Sequence, residues 1–366
     1  MVTFTIVAGA RPNFMKIAPI IHQLIKKHQE GIPVKFRLVH TGQHYDKKMS
    51  GDFFDQLNIP EPHANLGGGG GTQAEQTAAI MIAFEKELLE NRPDLVLVVG
   101  DVTSTLSCSI AAKKLQIDVA HVEGGIRSGD LTMPEEINRM VTDSITDHFF
   151  TTSEVANSNL RKSGFAEEKI HFVGNTMIDT LMAQMPRFQK PAGGVFENLK
   201  LGQYFVMTMH RPANVDQEYK LKAIIDAILE GTKGLPIIFP VHPRTAKNLQ
   251  SLGIDAPNLH MSDPLGYLEF NYLVKNAKGV ITDSGGITEE ASVMNVPCIT
   301  LRDNTERPET INLGTNELVG TDPAKLKPYL DKIMNGEWKK YQGIPLWDGK
   351  TAERIVNILI DSYLAN

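Results

Sequence analysis

The sequence has little cysteine and no long uninterrupted apolar run. Its 366 residues include two cysteines, Cys108 and Cys298, which lie far apart in patterns typical of a helix and a strand. This excludes a disulfide framework and a CxxC metal site. No segment approaches the roughly 20 apolar residues that span a bilayer, and the apolar run Thr3–Ala10 is too short for a secretory signal. We therefore expect a soluble protein that stays in a reducing cytoplasm and binds no membrane.

An excess of positive charge is also missing. The chain carries 37 lysines and arginines against 43 aspartates and glutamates, a formal net charge of −6. General nucleic-acid binders normally show the opposite balance, so we expect no nucleic-acid partner. If the ligand is an anion, it must be attracted by positive side chains near its binding site, because the net charge of the protein does not attract it. The composition is otherwise that of an average globular protein, which excludes disorder and coiled coil.

Short apolar, β-branched runs alternate with helix-period segments along the whole chain. This βαβα order predicts an α/β fold with parallel sheets covered on both faces. The alternation stops at Pro186–Gly202 and then restarts, which predicts two doubly wound, Rossmann-like domains facing each other across a cleft. We predict domains over 1–175 and 176–348. The terminal helix, over 349–366, is compatible with either domain, and packing back on the first domain is our prediction.

Five successive glycines, Gly67–Gly71, exclude regular structure because ordering glycine costs the most conformational entropy. Two interpretations stay open for them. One is a featureless surface turn, and the other is a mobile loop that moves when a ligand binds.

The segment from Asp283 to Glu290 runs from a strand through a tight glycine turn into a helix. Gly285 and Gly286 allow backbone amides to approach an anion, the helix start carries partial positive charge, and the Ser284 hydroxyl adds a donor. Glu290, two turns further on, is placed to accept the hydroxyls of a ribose. The pattern predicts a phosphate site with a nucleoside beside it.

The first strand also ends in a turn into a helix, with Arg11 and Lys16 near the helix start. Cations at this end oppose the helix dipole. A salt-bridged surface turn is one explanation, and a bound anion that offsets the cost is the one we favour. This anion would supply the local attraction that the net charge lacks.

Three carboxylates stand where strands end: Asp101, Glu123 and Glu135. The strand ends of one parallel sheet point into the same crevice, so we expect these side chains to converge. Glu135 precedes Arg139 by four residues, and a simple surface ion pair is the alternative for that couple. For Asp101, capping of the following helix is the alternative.

In the second half, two strands end in a histidine followed by positive charge, at His210 and His242. Two such histidines at equivalent strand ends favour a functional site. These histidines and the carboxylates lack the compact spacing of metal ligands, so we predict no metal site.

Together these segments resemble the bacterial non-hydrolysing UDP-N-acetylglucosamine 2-epimerases. The matching stretches, which span nearly the whole chain, are GARPNFMK from Gly9, GDVTSTL from Gly100, HVEGGIRSGD from His121, MPEEINR from Met133, HRPANVD from His210, PVHPRT from Pro240, DSGGITEE from Asp283 and RDNTERPET from Arg302.

The resemblance implies a glycosyltransferase-B type fold, a homodimer, a UDP-sugar substrate and no cofactor. It implies that Ser284, Gly285 and Gly286 hold the phosphates, that Glu290 binds the ribose and that Phe270 lies against the uracil. Arg11, Lys16, Arg139 and Arg307 would surround the diphosphate and sugar.

The chemistry that the resemblance implies is inversion at carbon 2 through loss of UDP to a glycal and its return, for surface polysaccharide synthesis. An acid and a base on opposite faces of the sugar are then needed, and the candidates are Asp101, Glu123, Glu135 and His210. No NAD is expected, since no GxGxxG fingerprint follows the first strand.

Three rival activities share this resemblance. One is epimerisation of a 2,3-diacetamido uronic-acid nucleotide, another is hydrolysis to free N-acetylmannosamine, and the third is a glycosyltransferase or nucleotide-sugar sensor, which would need neither Asp101 nor Glu123. Substrate activation at a second site, involving Gln43 and His242, is left open, because Asp46 departs from the glutamine expected there.

Overall fold

A computed structural model describes residues 1–42, 54, 56–215, 217–241, 249, 253, 254 and 256–364, without the side chains of residues 11, 212 and 213. The chain divides into two compact units, which we describe separately. Unit 1 comprises residues 1–180 and 345–366, and unit 2 comprises residues 181–344. Within the described residues, no helix is long and apolar enough to cross a membrane.

Among its described residues, unit 1 contains seven strands that pair in parallel. They are β1 Val2–Ala8, β2 Val34–His40, β3 Ala64–Asn65, β4 Leu95–Val99, β5 Asp118–Val122, β6 His148–Thr151 and β7 Ile170–Phe172. Their spatial order is β3-β2-β1-β4-β5-β6-β7. The order reverses between β1 and β4, and in such sheets the carboxyl ends of the strands at the reversal border the usual ligand site.

Helices cover both faces of this sheet. They are α1 Arg11–Gln29, α2 Gln73–Glu90, α3 Thr103–Lys114, α4 Pro134–Ser144, α5 Glu154–Lys162, α6 Thr176–Gln184 and the terminal helix α13 Thr351–Leu364. All five residues of β4 are buried, as expected for a strand covered on both sides. On one face, Val96 packs in a cluster with Ile80, Phe84 and Cys108.

Helix α13 lies in unit 1, where it packs against α1. Its start is fixed by a carboxylate from α6: the two oxygens of Asp179 accept the amides of Thr351 and Ala352 at 3.1 and 2.7 Å. This contact satisfies two of the amides that a helix start otherwise leaves unpaired. The contact thereby joins the last element of the chain to the first unit.

Unit 2 repeats the parallel architecture with six strands. They are β8 Phe205–Thr208, β9 Ile237–Pro240, β10 Leu259–Ser262, β11 Gly279–Thr282, β12 Cys298–Thr300 and β13 Asn316–Leu318, and the described helices are α7 Pro212–Val215, α8 Glu218–Gly231, α9 Tyr267–Lys275, α10 Gly285–Val293, α11 Pro308–Asn312 and α12 Leu326–Asn335. The spatial order is β10-β9-β8-β11-β12-β13, so the reversal lies between β8 and β11.

The predicted α/β class with two parallel-sheet units is confirmed. The two short edge strands β3 and β13 were not predicted. The glycine tract Gly67–Gly71 has no regular structure, but it is not featureless, because Gly68 is buried. A Cβ atom at Gly68 would lie 2.5 Å from Ile80 Cγ1, so the close packing of this loop on α2 requires glycine. The predicted cleft and domain bounds stay predictions.

Candidate active site

The reversal point of unit 1 is bordered by the turns that follow β1 and β4. The Asn13 side chain joins these turns: its Oδ1 accepts the amides of Gly9 and Ala10 at 3.2 and 3.0 Å, and its Nδ2 donates to the Val99 carbonyl at 3.3 Å. Asn13 is 2% exposed. A buried amide with three such bonds fixes the two strand ends against each other.

Lys16 and Glu123 form an ion pair at this point, in which Glu123 is buried and Lys16 is partly buried. The Lys16 Nζ lies 2.8 Å from Glu123 Oε2, and the Glu123 backbone has a φ of +72° directly after β5. A left-handed backbone is uncommon for a residue with a side chain, and active sites are among the places where such strained residues cluster. Gly100 makes room for the pair, because a Cβ atom there would lie 3.2 Å from Lys16 Nζ.

Asp101, at the end of β4, is the second carboxylate that converges here. Its Oδ2 accepts from Arg139 Nη2 at 2.5 Å, and its backbone carbonyl accepts from Asn138 Nδ2 at 2.8 Å. The Asp101 side chain keeps 31% of its surface exposed, whereas Arg139 keeps 6%. The capping alternative for Asp101 is wrong, since the residue at the N-cap of α3 is Val102.

Glu136 holds Arg139 from the other side, at 2.6 Å from its Nη1. The Glu136 carboxylate also accepts the amides of Ser128 and Gly129, each at 3.0 Å. Burial alone would raise the pKa of Glu136, but these amides and Arg139 outweigh it and hold the pKa below its usual value. Glu136 was not predicted as a site residue, although it lies in the same motif as Glu135.

Two other residues predicted for the site in unit 1, Glu135 and Arg11, lie at the starts of helices α4 and α1. Glu135 lies in the first turn of α4 and is partly buried. Arg11 is the first residue of α1, and its side chain lies outside the described atoms. Lys16 does form an ion pair, as the salt-bridged alternative predicted, but its partner Glu123 is buried and does not lie in an exposed surface turn.

The reversal point of unit 2 brings His210 and Asp283 together. His210 follows β8 and Asp283 follows β11, and His210 Nδ1 lies 2.7 Å from Asp283 Oδ1. Asp283 is fully buried and also accepts the backbone amides of His210 and Arg211 and the side-chain amide of Asn214. The His210 side chain is 64% exposed, so its other ring nitrogen faces outward from this pair.

Asp283 is an ionised anchor for the histidine. Burial would raise its pKa, but the His210 ring, the backbone amides and Asn214 outweigh burial and lower the pKa to about 2. A carboxylate that holds one ring nitrogen of a histidine fixes the orientation of the ring and the tautomer that it presents. The sequence analysis quoted Asp283 within a motif and gave it no role, because its partner lies 73 residues away.

The predicted phosphate cradle starts helix α10. Ser284 is its N-cap residue and makes no side-chain cap bond, and Gly285 and Gly286 are its first two residues. Among the described residues, no protein atom would lie within 4 Å of a Cβ atom at Gly286. Packing against these residues therefore does not require glycine here, and the position is compatible with the close approach of a ligand.

Glu290, in the same helix, contacts a tyrosine that the sequence analysis did not identify. Tyr267 donates its hydroxyl to Glu290 Oε1 at 2.6 Å. Burial and the adjacent Glu289 raise the pKa of Glu290 to about 7, against the opposing effects of Tyr267 and Asn271. Phe270, which also lies on α9, is partly buried against the core of the unit.

The last predicted residues fall in different places. Arg307, at the N-cap of α11, is buried and pairs through its Nε with Glu289. His242 lies outside the described residues, as do Gln43 and Asp46. No group of three or more metal-ligating side chains suited to an ion occurs in the part of the chain that the structure describes.

Comparisons with known proteins identify the family of the chain. A sequence model of the family described as UDP-N-acetylglucosamine 2-epimerase matches residues 26–360. A protein of that name from Methanocaldococcus jannaschii is 42% identical over 97% of this chain and 98% of its own. A UDP-2,3-diacetamido-2,3-dideoxy-D-glucuronate 2-epimerase from Pseudomonas aeruginosa is 39% identical over 96% and 98%.

Solved structures give the same result. The Methanocaldococcus jannaschii UDP-GlcNAc 2-epimerase in complex with UDP-GlcNAc and UDP superposes with a TM-score of 0.84 at 41% identity, covering 98% of this chain and 99% of that one. The Neisseria meningitidis UDP-GlcNAc 2-epimerase bound to UDP-GlcNAc gives 0.88 at 28% identity, with both chains fully covered. The predicted restriction to bacterial members is not confirmed, because several relatives are archaeal. The chain belongs to the UDP-N-acetylglucosamine 2-epimerase family.

Proposed function

We propose that the protein interconverts UDP-N-acetylglucosamine and UDP-N-acetylmannosamine. The observation that carries this proposal is the placement of paired acid–base groups at both reversal points. In unit 1, Asp101 is held by the buried Arg139 and Glu123 by the partly buried Lys16. In unit 2, His210 is held by an ionised aspartate. A nucleotide-sugar binder without catalysis needs no such set. The relatives named for this reaction support the substrate.

The proposed step is elimination and re-addition. A base removes the proton from carbon 2, the electron pair of that C–H bond forms the C1–C2 double bond, and UDP leaves with the electrons of the C1–O bond. UDP then returns to carbon 1, and an acid delivers a proton to the opposite face of carbon 2. The proton on carbon 2 of an acetamido sugar is weakly acidic, so stabilisation of the departing diphosphate must accompany its removal.

Different residues are proposed to bind the nucleotide and to transfer the protons. Ser284, Gly285 and Gly286 are proposed to bind the diphosphate, Glu290 the ribose and Phe270 the uracil. The cations Arg11, Lys16, Arg139 and Arg307 are proposed to stabilise negative charge on the leaving group. Asp101, Glu123, Glu135 and His210 are the candidate acid and base. The product would serve surface polysaccharide synthesis.

Epimerisation of the diacetamido uronic-acid nucleotide is the second candidate, favoured by the 39% identical Pseudomonas aeruginosa relative. A direct comparison separates the two. Purified protein is incubated with each nucleotide sugar and the products are resolved by chromatography and NMR. UDP-N-acetylmannosamine formation at the higher kcat/KM supports our proposal, whereas preference for the uronic-acid nucleotide, or release of free N-acetylmannosamine, would replace it.

We further propose that the protein is a homodimer. Helices α2 and α4 expose large apolar side chains, including Ile82 at 58% and Ile137 at 50% of their surface, around a 640 Å³ cavity that both residues line. Apolar faces of this kind mark interaction sites. Light scattering should give a dimer for the wild type and for Leu201→Glu, an exposed change in unit 2, and a monomer for Ile82→Glu. Activation by substrate at a second site stays a hypothesis.

A further inference from the structure

His121 is completely buried at the end of β5, and both of its ring nitrogens face hydrogen-bond acceptors. Nδ1 lies 2.7 Å from Asp143 Oδ1, and Nε2 lies 2.8 Å from the backbone carbonyl of Gly100. Neither a carboxylate nor a carbonyl can donate a proton. The ring therefore has to donate from both nitrogens to satisfy both contacts.

Asp143, on α4, connects this histidine to the edge of the site. Its second oxygen, Oδ2, accepts the Gly125 amide at 3.1 Å and contacts Arg127 Nη1 at 2.6 Å. Burial would raise the pKa of Asp143, but His121 and Arg127 outweigh it and keep the pKa below its usual value. The charges thus alternate along the His121–Asp143–Arg127 network, from a buried ring to an arginine that is 20% exposed.

The network ends on the peptide that carries Asp101. Gly100 has a φ of +70°. Because a glycine backbone has more conformational freedom than that of other residues, hydrogen bonds are needed to fix the direction of its carbonyl. His121 holds this carbonyl, and Asn138 and Arg139 hold the carbonyl and carboxylate of Asp101. The Gly100 amide donates to the Val122 carbonyl at 3.1 Å, so His121 supplies one of the two hydrogen bonds that set the Gly100 backbone. We expect loss of the His121 contact to shift the peptide and, with it, the Asp101 side chain.

We propose that His121, held by Asp143 and Arg127, is a positioning residue for Asp101. This inference rests on the proposed function, because Asp101 matters only if it moves a proton. A reacting group displaced by about 1 Å can lose about 100-fold in rate. Binding of the nucleotide, which we assign to other residues, does not depend on the network.

The test is Asp143→Asn, which keeps the size of the side chain and removes its charge. We expect kcat to fall about 10- to 100-fold while KM stays within about twofold. Each sample is first titrated with UDP to count the molecules with an intact nucleotide site in unit 2, and circular dichroism checks that the fold of the whole chain is retained. The kcat is then expressed per UDP-binding molecule. Lys113→Gln is the matched control, since it breaks another ion pair of unit 1, with Asp147, and should leave kcat unchanged.

Arg127→Gln is the second variant, because its side chain is partly exposed and its loss endangers folding less. We expect a smaller fall in kcat than in Asp143→Asn, again with KM retained. Normal kcat per UDP-binding molecule in both variants would overturn the inference, as would a loss in KM alone. An inactive wild type that binds UDP would instead reject the proposed function.

Discussion

Gly286 is a position where a substitution should weaken ligand binding without lowering the stability of the fold. A methyl group there meets no atom of the described residues within 4 Å, and the position lies in the first turn of α10. Alanine is the better helix former, so Gly286→Ala should fold with equal or slightly higher stability. If phosphate approaches this backbone, the added methyl group should weaken UDP binding at least about 10-fold. Calorimetric titration with UDP together with thermal unfolding checks this, and unchanged affinity would remove the phosphate from this position.

Asp101 and Glu123 are the carboxylates that we expect to matter most for turnover. Positioned acid–base groups contribute about 10²–10⁴-fold in rate. Asp101→Asn and Glu123→Gln should each lower kcat by that order while the circular dichroism spectrum is retained. Glu154→Gln, an exposed change in α5, is the control. Near-normal turnover in both variants would refute their assignment.

At the scale of elements, the capping of α13 by Asp179 is the clearest dependence of one helix on another. Loss of a cap costs about 0.5–2 kcal/mol. Asp179→Ala should therefore lower the free energy of unfolding of unit 1 by about that amount, because two helix-start amides lose their acceptors.

The two tryptophans make this measurable, since Trp347 lies in unit 1 and Trp338 in unit 2. In a Trp338→Phe background, urea unfolding followed by Trp347 fluorescence reports on unit 1 alone. Asp348→Asn, which removes an exposed partner of Arg354, is the control and should change little. Equal midpoints for Asp179→Ala and the control would mean that the cap contributes nothing.

The same scale shows why some elements were predictable. The β4 strand is apolar at every position and its neighbours alternate with helical periods, so its existence and type follow from the sequence. Strands β3 and β13 have two and three residues, and their sequences, Ala-Asn and Asn-Glu-Leu, contain no apolar run that would mark a buried strand. Their strand form comes from pairing with β2 and β12, which only the folded sheet supplies.

For the site, the sequence predicted which strand ends carry chemistry but not which side chains meet. Lys16 and Glu123 lie 107 residues apart, and their pairing depends on the order of β1, β4 and β5 in the sheet. Asp283 and Tyr267 were missed for the same reason. Each supports a residue that was predicted, His210 and Glu290 respectively, through a contact that spacing along the chain does not encode.

At the scale of the whole molecule, the free energy of unfolding of unit 2 should depend on pH through two buried carboxyl groups, those of Glu290 and Asp283. The pKa of Glu290 is raised to about 7, so the folded state holds a proton that the unfolded state loses above its ordinary pKa of 4.5. The free energy of unfolding should fall as pH rises from 4.5 to 7, by about 3 kcal/mol at most. The pKa of Asp283 is lowered to about 2 from 3.8, so its contribution is present above pH 3.8 and lost below it.

Urea unfolding of a Trp347→Phe variant, followed by Trp338 fluorescence between pH 4.5 and 8, measures this dependence. Glu290→Gln cannot ionise and should flatten the decline between pH 4.5 and 7. An identical decline in Glu290→Gln would assign the effect to other groups.

Departure and return of UDP should exchange the proton on carbon 2 with solvent, and a single incubation measures this exchange. UDP-N-acetylglucosamine is added to the protein in heavy water, and the sugar protons are followed by NMR. We expect UDP-N-acetylmannosamine with deuterium at carbon 2, because the acid and the base are separate groups on opposite faces. Formation of the epimer with its original hydrogen at carbon 2, or release of free N-acetylmannosamine and UDP, would contradict this mechanism.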